Sequence, residues 1–308
     1  MRRSLCFEVK AALLSGVLGL ALGCGPSPST PTDAGADAGV QGVVDAGPAD
    51  AGVNPVDAGP ADAGPPDAGP QVTPDAGPPD AGTVQGPRCG ATTVLCQDEQ
   101  VAQLKLYDVA NPALITEEGT APNFATLIDS SAGGTGVTKA YVYARFTDTG
   151  LQKVNISDEE AFVSLDWDIA FRRYVIRLNS GVGGPSCVEG ARVAPGATFD
   201  GLTEIPANIP WRTEAYFTNS CDFVPDTSGI GAPATITSSF WSYQSCVAMT
   251  GNIFVAHLRD GRYVKLTITG YYATAAQQTC NQTGSVPTPS GSGNLRMKWS
   301  FINGPANP

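Results

Sequence analysis

The sequence predicts an all-β, mostly antiparallel domain that follows an export signal and a disordered tether. Helical periodicity is nearly absent after Arg88, whereas several segments alternate apolar and polar residues as strands do. Asp260-Gly261, between two such segments, is typical of a hairpin turn. Glycine and proline are concentrated before Arg88. The predicted boundaries are therefore residues 1–23 for the signal peptide, 24–87 for the lipidated cysteine and tether, and 88–308 for the β domain.

The first 23 residues have the features of a lipoprotein signal peptide. Basic residues precede an apolar segment, residues 11–23, that is too short to be read as a spanning helix. The segment ends in Ala21-Leu22-Gly23-Cys24, which resembles the bacterial lipobox. The sequence therefore predicts lipidation at Cys24, with two or more acyl chains giving a stable membrane anchor. Ordinary secretion with a chance cysteine is the alternative.

The residue directly after Cys24 indicates in which membrane the protein is anchored. Gly25 follows Cys24, and aspartate, which retains some Gram-negative lipoproteins in the inner membrane, is absent from this position. We therefore expect a lipid-anchored protein of the outer membrane, with the domain exposed at the cell surface.

Residues 25–87 repeat Asp-Ala-Gly nine times, without an aromatic residue, lysine or arginine. Burial cannot offset the ordering entropy of such a segment, and the variable repeat spacing argues against a solenoid. Calcium binding is the alternative for so many aspartates, but each is isolated by Ala, Gly and Pro, whereas calcium loops group their oxygen ligands in one turn. The segment is interpreted as a spacer that lifts the domain above the membrane.

The charge of the domain excludes one class of partner. Residues 88–308 carry 19 acidic and 15 basic residues, so no basic footprint for nucleic acid is present. The segment is long enough for one large β domain with a substantial core.

Six cysteines follow the tether, and an even number in an exported chain indicates three disulfides with fifteen formal pairings. Metal binding is the rival interpretation, but no CxxC pair occurs. The predicted hairpin at Asp260-Gly261 brings two of the cysteines to its open end, another two are close enough in sequence to close a local loop, and elimination pairs the last two. These predicted pairs are Cys246–Cys280, Cys89–Cys96 and Cys187–Cys221.

Two segments early in the domain are predicted to be strands, residues 103–109 and 137–146. Ser157 and Glu160 have the spacing of a capping box for one short helical turn. The neighbouring acidic residues are then charges at a helix start and not a catalytic cluster.

The densest apolar and aromatic run, residues 166–181, is predicted to be one long strand buried on both faces. Its arginines, Arg172, Arg173 and Arg177, are expected to reach outwards along their stems. The Gly-rich segment that follows, residues 181–185, lacks the GK[ST] ending of a phosphate-binding loop and is interpreted as a turn.

The C-terminal part has the clearest strand pattern. Residues 253–258 and 263–272 flank a predicted type I′ turn, with Leu258 opposite Tyr263 and Val255 opposite Leu266. A closing strand follows, in which apolar and polar residues alternate from Leu295 to Phe301.

Three segments of the chain resemble the HmuY-like family of exported lipoproteins. They are the WDIAF run at residues 167–171 with Asn179-Ser180-Gly181, the hairpin strand GRYVKLTITGYY at residues 261–272, and the final strand at residues 295–301. The resemblance extends roughly from Val101 to Ile302. It implies a lipid-anchored, β-rich protein that takes haem from host carriers, holds its iron through two axial His or Met side chains, and passes it to an outer-membrane receptor.

The chain departs from this family pattern in its axial ligands, because no His or Met lies between Cys24 and Met249. The conventional candidates are Met249, His257 and Met297. His257 shares a predicted strand face with Ile253 and Val255, a setting typical of a structural histidine. Met297 alternates with predicted core residues, which indicates packing.

The leading functional hypothesis is a non-enzymatic, surface-displayed binding module for haem or another small apolar ligand. The alternatives are an envelope module that binds a protein receptor, and a hydrolase that uses Asp166 and Asp168 as paired carboxylates on one strand face. A single histidine makes a Ser-His-Asp triad improbable, and neither GxSxG nor HExxH occurs.

Overall fold

Two antiparallel sheets packed face to face form the centre of the domain. The structure, a computed structural model, describes residues 87–132 and 137–305, which lie in one compact unit, Asp75–Pro308. The predicted signal peptide, Cys24 and all of the tether except Pro87 lie outside the described residues.

The described chain contains twelve strands, two α-helices and two short 3-10 turns, which confirms a mostly antiparallel β domain. The strands are β1 (Ile115–Glu117), β2 (Phe124–Asp129), β3 (Val142–Thr147), β4 (Gly150–Val154), β5 (Ile169–Arg172), β6 (Val175–Leu178), β7 (Glu189–Arg192), β8 (Trp241–Tyr243), β9 (Val247–Met249), β10 (Ile253–His257), β11 (Tyr263–Gly270) and β12 (Asn294–Ile302). The helices are α1 (Gln97–Leu104) and α2 (Thr274–Thr283), and the 3-10 turns are Glu160–Phe162 and Ser238–Phe240.

The strands form a six-stranded sheet, β1-β2-β12-β11-β10-β7, a four-stranded sheet, β4-β3-β5-β6, and a separate hairpin, β8-β9. Apolar side chains from the two larger sheets meet in a central core. There Phe146 of β3 packs edge-to-face on Trp299 of β12, with ring centroids 4.9 Å apart. Two further apolar clusters cover the outer faces of the two larger sheets.

The predicted long strand over residues 166–181 was wrong, because the segment folds into the β5–β6 hairpin. Ile169 pairs with Leu178 and Arg172 with Val175, and the turn residue Arg173 has a left-handed φ of 54°. The turn lacks the Gly, Asn or Asp that normally marks such a position. Without that marker, two short strands were interpreted as one.

The prediction that Arg172 and Arg177 reach outwards was also wrong, since both side chains are buried. Arg172 donates to the main-chain carbonyls of Leu104 (2.6 Å) and Lys105 (3.1 Å), at the C-terminus of α1. This end of the helix has unpaired carbonyls and a negative partial charge, which the guanidinium satisfies.

The predicted strand over residues 103–109 was wrong, because its first residues belong to α1. Asp98 and Glu99 lie in the first turn of α1, where the helix dipole favours acidic residues, and Lys105 ends the helix in a left-handed conformation. The second predicted strand is shorter than expected and begins at Val142, not at residue 137.

The capping box is confirmed. The Glu160 N–H donates to Ser157 Oγ (3.1 Å), and the Ser157 N–H donates to Glu160 Oε2 (2.7 Å). The same acidic run contains Asp158, whose position differs from the expectation, because it is fully buried.

The C-terminal hairpin is present, but its register differs by one residue from the prediction. His257 pairs with Tyr263 and Val255 with Lys265. Gly261, with φ 88°, donates to the Leu258 carbonyl (3.1 Å). The connection is therefore a three-residue loop with a left-handed glycine and not a two-residue type I′ turn. The closing strand is confirmed as β12, with Leu295, Met297 and Trp299 buried.

All six cysteines after the tether form disulfides. Cys246–Cys280 is confirmed, but the other two predicted pairs were wrong, because the bonds are Cys89–Cys187 and Cys96–Cys221. The segment before α1 runs along the loop that follows β6, where the Thr92 N–H donates to the Pro185 carbonyl (2.8 Å). This packing carries Cys89 and Cys96 to distant partners and leaves no local loop between them.

Candidate ligand-binding groove

A groove of about 390 Å³ lies beside β7, the edge strand of the six-stranded sheet. This volume falls within the range of small-ligand sites. We call it the Trp241 groove. Its lining residues come from four separate segments and are Arg192, Asp226, Thr227, Ser228, Ser238, Ser239, Trp241, Ser242, Tyr243, Thr250 and Asn252.

Hydrogen bonds connect two of the segments that line the Trp241 groove. The Ser239 carbonyl accepts from Thr250 Oγ1 (2.8 Å) and from Asn252 Nδ2 (2.7 Å). The Thr250 N–H donates to the Phe240 carbonyl (3.1 Å). These bonds join the 3-10 turn before β8 to the connection between β9 and β10, so the two sides of the groove are fixed to each other.

The loop that supplies Asp226 is also ordered by its own contacts. The Asp226 N–H donates to the Ala232 carbonyl (2.7 Å), and one oxygen of its carboxylate, Oδ1, accepts from the Ser228 N–H (3.1 Å). The contacts of the described residues place no donor on the other oxygen, Oδ2. One carboxylate oxygen therefore remains to accept from a ligand.

The β8–β9 hairpin supplies two aromatic side chains. Trp241 is buried against Tyr174, with ring centroids 5.0 Å apart, whereas Tyr243 is 47% exposed. The hairpin is tied to the domain by Cys246–Cys280 and by the Val247 N–H, which donates to Tyr272 Oη (3.1 Å). Tyr243 therefore presents an accessible ring on a fixed support.

Arg192 ends β7, and its side chain is exposed. Among the described residues, its guanidinium has neither a hydrogen bond nor an ion pair. The Trp241 groove therefore combines hydroxyl, amide, carboxylate and guanidinium groups with aromatic rings, and no aliphatic side chain of the described residues lines it.

The structure does not bring the candidate axial ligands together. Met249 lies opposite Trp241 in the β8–β9 hairpin and packs against the central core. His257 is the last residue of β10. Met249 precedes the first residue of this strand, which spans about 13 Å. Neither side chain lines the Trp241 groove. Met297, the third candidate, is 1% exposed and belongs to the central core, as its alternation predicted.

His257 is held by aromatic and polar neighbours. Its ring stacks on Tyr263 at a centroid distance of 4.1 Å, and Nδ1 lies 3.6 Å from Glu189 Oε2. Burial and the positive charge of Arg88 lower the pKa of His257 to about 4, although Glu189 opposes this. The imidazole is therefore neutral at pH 7 and is packed as part of the outer face of the sheet.

The two aspartates of the hydrolase hypothesis line one polar groove of about 240 Å³. Asp166 is exposed, whereas Asp168 is buried and accepts from the Phe146 N–H (2.9 Å). Burial raises the pKa of Asp168 to about 7. Arg262 in the same groove is paired with Asp148 and Asp260. The contact with the β3 main chain gives Asp168 a structural role.

A buried polar network on the outer face of the four-stranded sheet was missed by sequence reasoning. Asp158 Oδ1 accepts from the Tyr141 N–H (2.9 Å) and from Tyr143 Oη (2.8 Å), and Oδ2 accepts from the Tyr107 N–H (3.0 Å). Arg172 and Arg177 lie 3.7 and 4.0 Å from its carboxylate. The only signal in the sequence was an acidic residue that follows a capping serine.

Two of the residues that carried the family resemblance, Trp167 and Asn179, have structural roles. Asn179 Nδ2 donates to the Trp167 carbonyl (2.8 Å), and its Oδ1 accepts from the Ser186 N–H (3.1 Å). A side chain at Gly184 would collide with both Asn179 and Trp167. Close packing therefore requires glycine in this loop, which agrees with its interpretation as a turn.

No helix in the described part of the chain has the length and apolar character needed to cross a membrane. No functionally curated protein matches the chain.

Three solved structures are similar to the chain at low identity. A candidate lipoprotein from Bacteroides fragilis is 13% identical, with 65% of this chain and 99% of the other covered and a TM-score of 0.39. A candidate HmuY-like heme-binding protein from Bacteroides vulgatus is 17% identical, with 62% and 97% covered and a TM-score of 0.38. An apo HmuY analogue from Tannerella forsythia is 12% identical, with 64% and 98% covered and a TM-score of 0.31. These TM-scores are too low to support an inference about function.

The sequence profile of the HmuY protein family matches residues 137–283. This segment contains β3 to β11 and α2, and with them the whole four-stranded sheet, three strands of the six-stranded sheet and the whole Trp241 groove. Over residues 137–283 the chain is therefore similar to the HmuY family.

Proposed function

We propose that the protein is a non-enzymatic binding module, anchored by lipid at Cys24 to the outer membrane, that takes a small ligand into the Trp241 groove at the cell surface. The observation that carries the proposal is the HmuY-family match, because this is a family of binding proteins and the match includes every residue that lines the groove. A preformed cavity with a few fixed polar groups is the usual form of a small-ligand site.

The lipid anchor has a direct test. In a Gram-negative host, Cys24→Ser is expected to move nearly all of the protein from the membrane fraction to the soluble fraction, because the acyl chains supply the anchoring energy. Cys6→Ser, in the segment that is removed, is the matched control and should leave the protein in the membrane. Fractionation with labelled palmitate measures both effects. Membrane retention of Cys24→Ser without label would contradict the anchor.

Surface display is tested in the same strain. Proteinase K added to intact cells should cleave the tether of the wild-type protein, since the tether is proposed to extend outwards from the outer membrane. Cleavage only after the outer membrane is permeabilised would place the domain on the periplasmic side.

Haem is the ligand that the family resemblance implies, and the structure bears on how it would be held. Two axial ligands require donor atoms on opposite sides of one iron. His257 ends β10 and packs on the outer face of its sheet, whereas Met249 precedes the opposite end of β10 and packs against the central core. Met297 is buried in that core. The described residues therefore do not fit a haem held through two conventional protein ligands.

We expect a haem titration of the purified protein to give no six-coordinate spectrum with two protein ligands. His257→Ala and Met249→Leu should each leave any haem response unchanged, because neither side chain lines the groove. Met297→Leu serves as the core methionine control. A Soret shift that Met249→Leu and His257→Ala both abolish, with folding intact by circular dichroism, would contradict this conclusion.

A further inference from the structure

We propose that the ligand of the Trp241 groove is a neutral, polyhydroxylated molecule, and that its chemical class is saccharide. This inference rests on the proposed function, which makes the groove the ligand site. It goes beyond the family match, which supports a binding protein but does not show what this chain binds.

The groove lining excludes a mainly apolar ligand. Sites for such ligands are lined largely by aliphatic and aromatic side chains, with few polar groups. Within the described part of the chain, no aliphatic side chain lines the Trp241 groove, and six of the eleven lining residues carry an aliphatic hydroxyl. Serine and threonine hydroxyls both donate and accept, so they match ligand hydroxyls, which do the same.

The charges in the groove favour a neutral ligand. One guanidinium, from Arg192, and one carboxylate, from Asp226, line it, and the two are not ion-paired in the described structure. The formal charge of the lining is therefore balanced. A guanidinium presents two parallel donors, which suit the oxygens of neighbouring hydroxyls on a sugar ring. The remaining oxygen of the Asp226 carboxylate, Oδ2, can accept from a further ligand hydroxyl.

The exposed ring of Tyr243 supplies the remaining feature of a saccharide site. A sugar ring has an apolar face of C–H groups and a rim of hydroxyls, and the negative face of an aromatic ring attracts such C–H groups. Tyr243 lies next to Ser242 on the β8–β9 hairpin, which the Cys246–Cys280 disulfide supports. The aromatic ring of Tyr243 and the hydroxyl groups therefore line the same groove.

The test is a glycan array that contains neutral, amino and acidic oligosaccharides, probed with the full purified protein and followed by calorimetric titration of the strongest binder. At least one neutral oligosaccharide is expected to bind. Tyr243→Ala should weaken its binding by about tenfold or more, which corresponds to about 1.4 kcal/mol, because aromatic anchors are enriched among the residues that carry most of the binding energy. Tyr243→Phe, which keeps the ring, should remain within about threefold. Arg192→Ala should weaken binding, whereas Arg145→Ala, an exposed arginine of the other groove, should not.

The outcomes distinguish an error in the ligand class from an error in the position of the ligand site. A silent array, or binding of acidic glycans alone, would overturn the neutral saccharide inference. If haem or a fatty acid binds instead and Tyr243→Ala weakens it, the ligand class is wrong and the groove is right. If a ligand binds and neither groove variant changes its affinity, the groove is not the site and the proposed function also fails.

Discussion

Replacing Asp158 by alanine is expected to lower the free energy of unfolding by about 3–5 kcal/mol, the cost of leaving a buried charge without its partner. Asp158 is fully buried, and its carboxylate accepts from two main-chain N–H groups and the Tyr143 hydroxyl. Its removal leaves these donors unpaired and takes away the only carboxylate that is ion-paired with Arg172 or Arg177 in the described structure.

The cost is large because the guanidiniums cannot reach solvent. The Arg177 side chain is 1% exposed, its Nε already lacks a partner among the described residues, and it stacks over the Tyr141 ring at 4.3 Å. Urea denaturation at fixed pH with the disulfides intact measures the effect. Asp166→Asn, at an exposed aspartate, is the matched control and should stay within about 0.5 kcal/mol of the wild type. A loss below about 1 kcal/mol for Asp158→Ala would contradict this account.

Stability is expected to fall as pH rises from about 5 to about 8. Burial raises the pKa values of Asp168 and Glu214 to about 7. Both carboxylates therefore bind their protons more tightly in the folded chain than in the unfolded chain. Their favourable contribution is fully present below the unfolded pKa values and is lost as pH rises through about 7. Each group should contribute a loss of about 3 kcal/mol by pH 8, at about 1.4 kcal/mol per pKa unit.

One group acts in the opposite direction. The lowered pKa of His257 costs stability as pH falls below the ordinary histidine value. The titration of His257 offsets part of the fall in stability between about pH 4 and 6.5, but it does not offset the fall above pH 6.5.

Denaturation midpoints from pH 5 to pH 8 measure this profile. Asp168→Asn should remove about half of the decline, because the asparagine oxygen can still accept from the Phe146 N–H while only Glu214 still titrates. Asp166→Asn should leave the slope unchanged. A stability that rises with pH above 6.5 in the wild type would show that the buried carboxylates remain ionised at little cost.

The parts of the fold that could be predicted from the sequence depend on local chemistry. Asp260-Gly261 marks a turn, so the β10–β11 hairpin was found, although the left-handed Gly261 shifted its register. The β5–β6 hairpin was missed because Arg173 takes a left-handed conformation that its side chain does not favour. α2 was missed because its Ala- and Gln-rich sequence has no apolar stripe, although Gly284 ends it with a left-handed cap.

Disulfide bonds between cysteines that are distant in the sequence could not be predicted from local sequence patterns. Cys246–Cys280 could be inferred because one hairpin carries both cysteines. Cys89 and Cys96 lie 98 and 125 residues from their partners, and their bonds depend on how the N-terminal segment packs across the loops after β6 and β7. The Trp241 groove could not be predicted from the sequence for the same reason, because its serines and threonines come from separate segments and form no motif.

The most direct test of the central claim is hydrogen–deuterium exchange of the full protein with and without the neutral oligosaccharide that binds best on the array. The account predicts protection confined to residues 226–228, 238–243 and 250–252, the segments that line the Trp241 groove on the chain after β7. Protection around His257 and Glu189, or at residues 97–102 of α1, with none in these three segments, would contradict it.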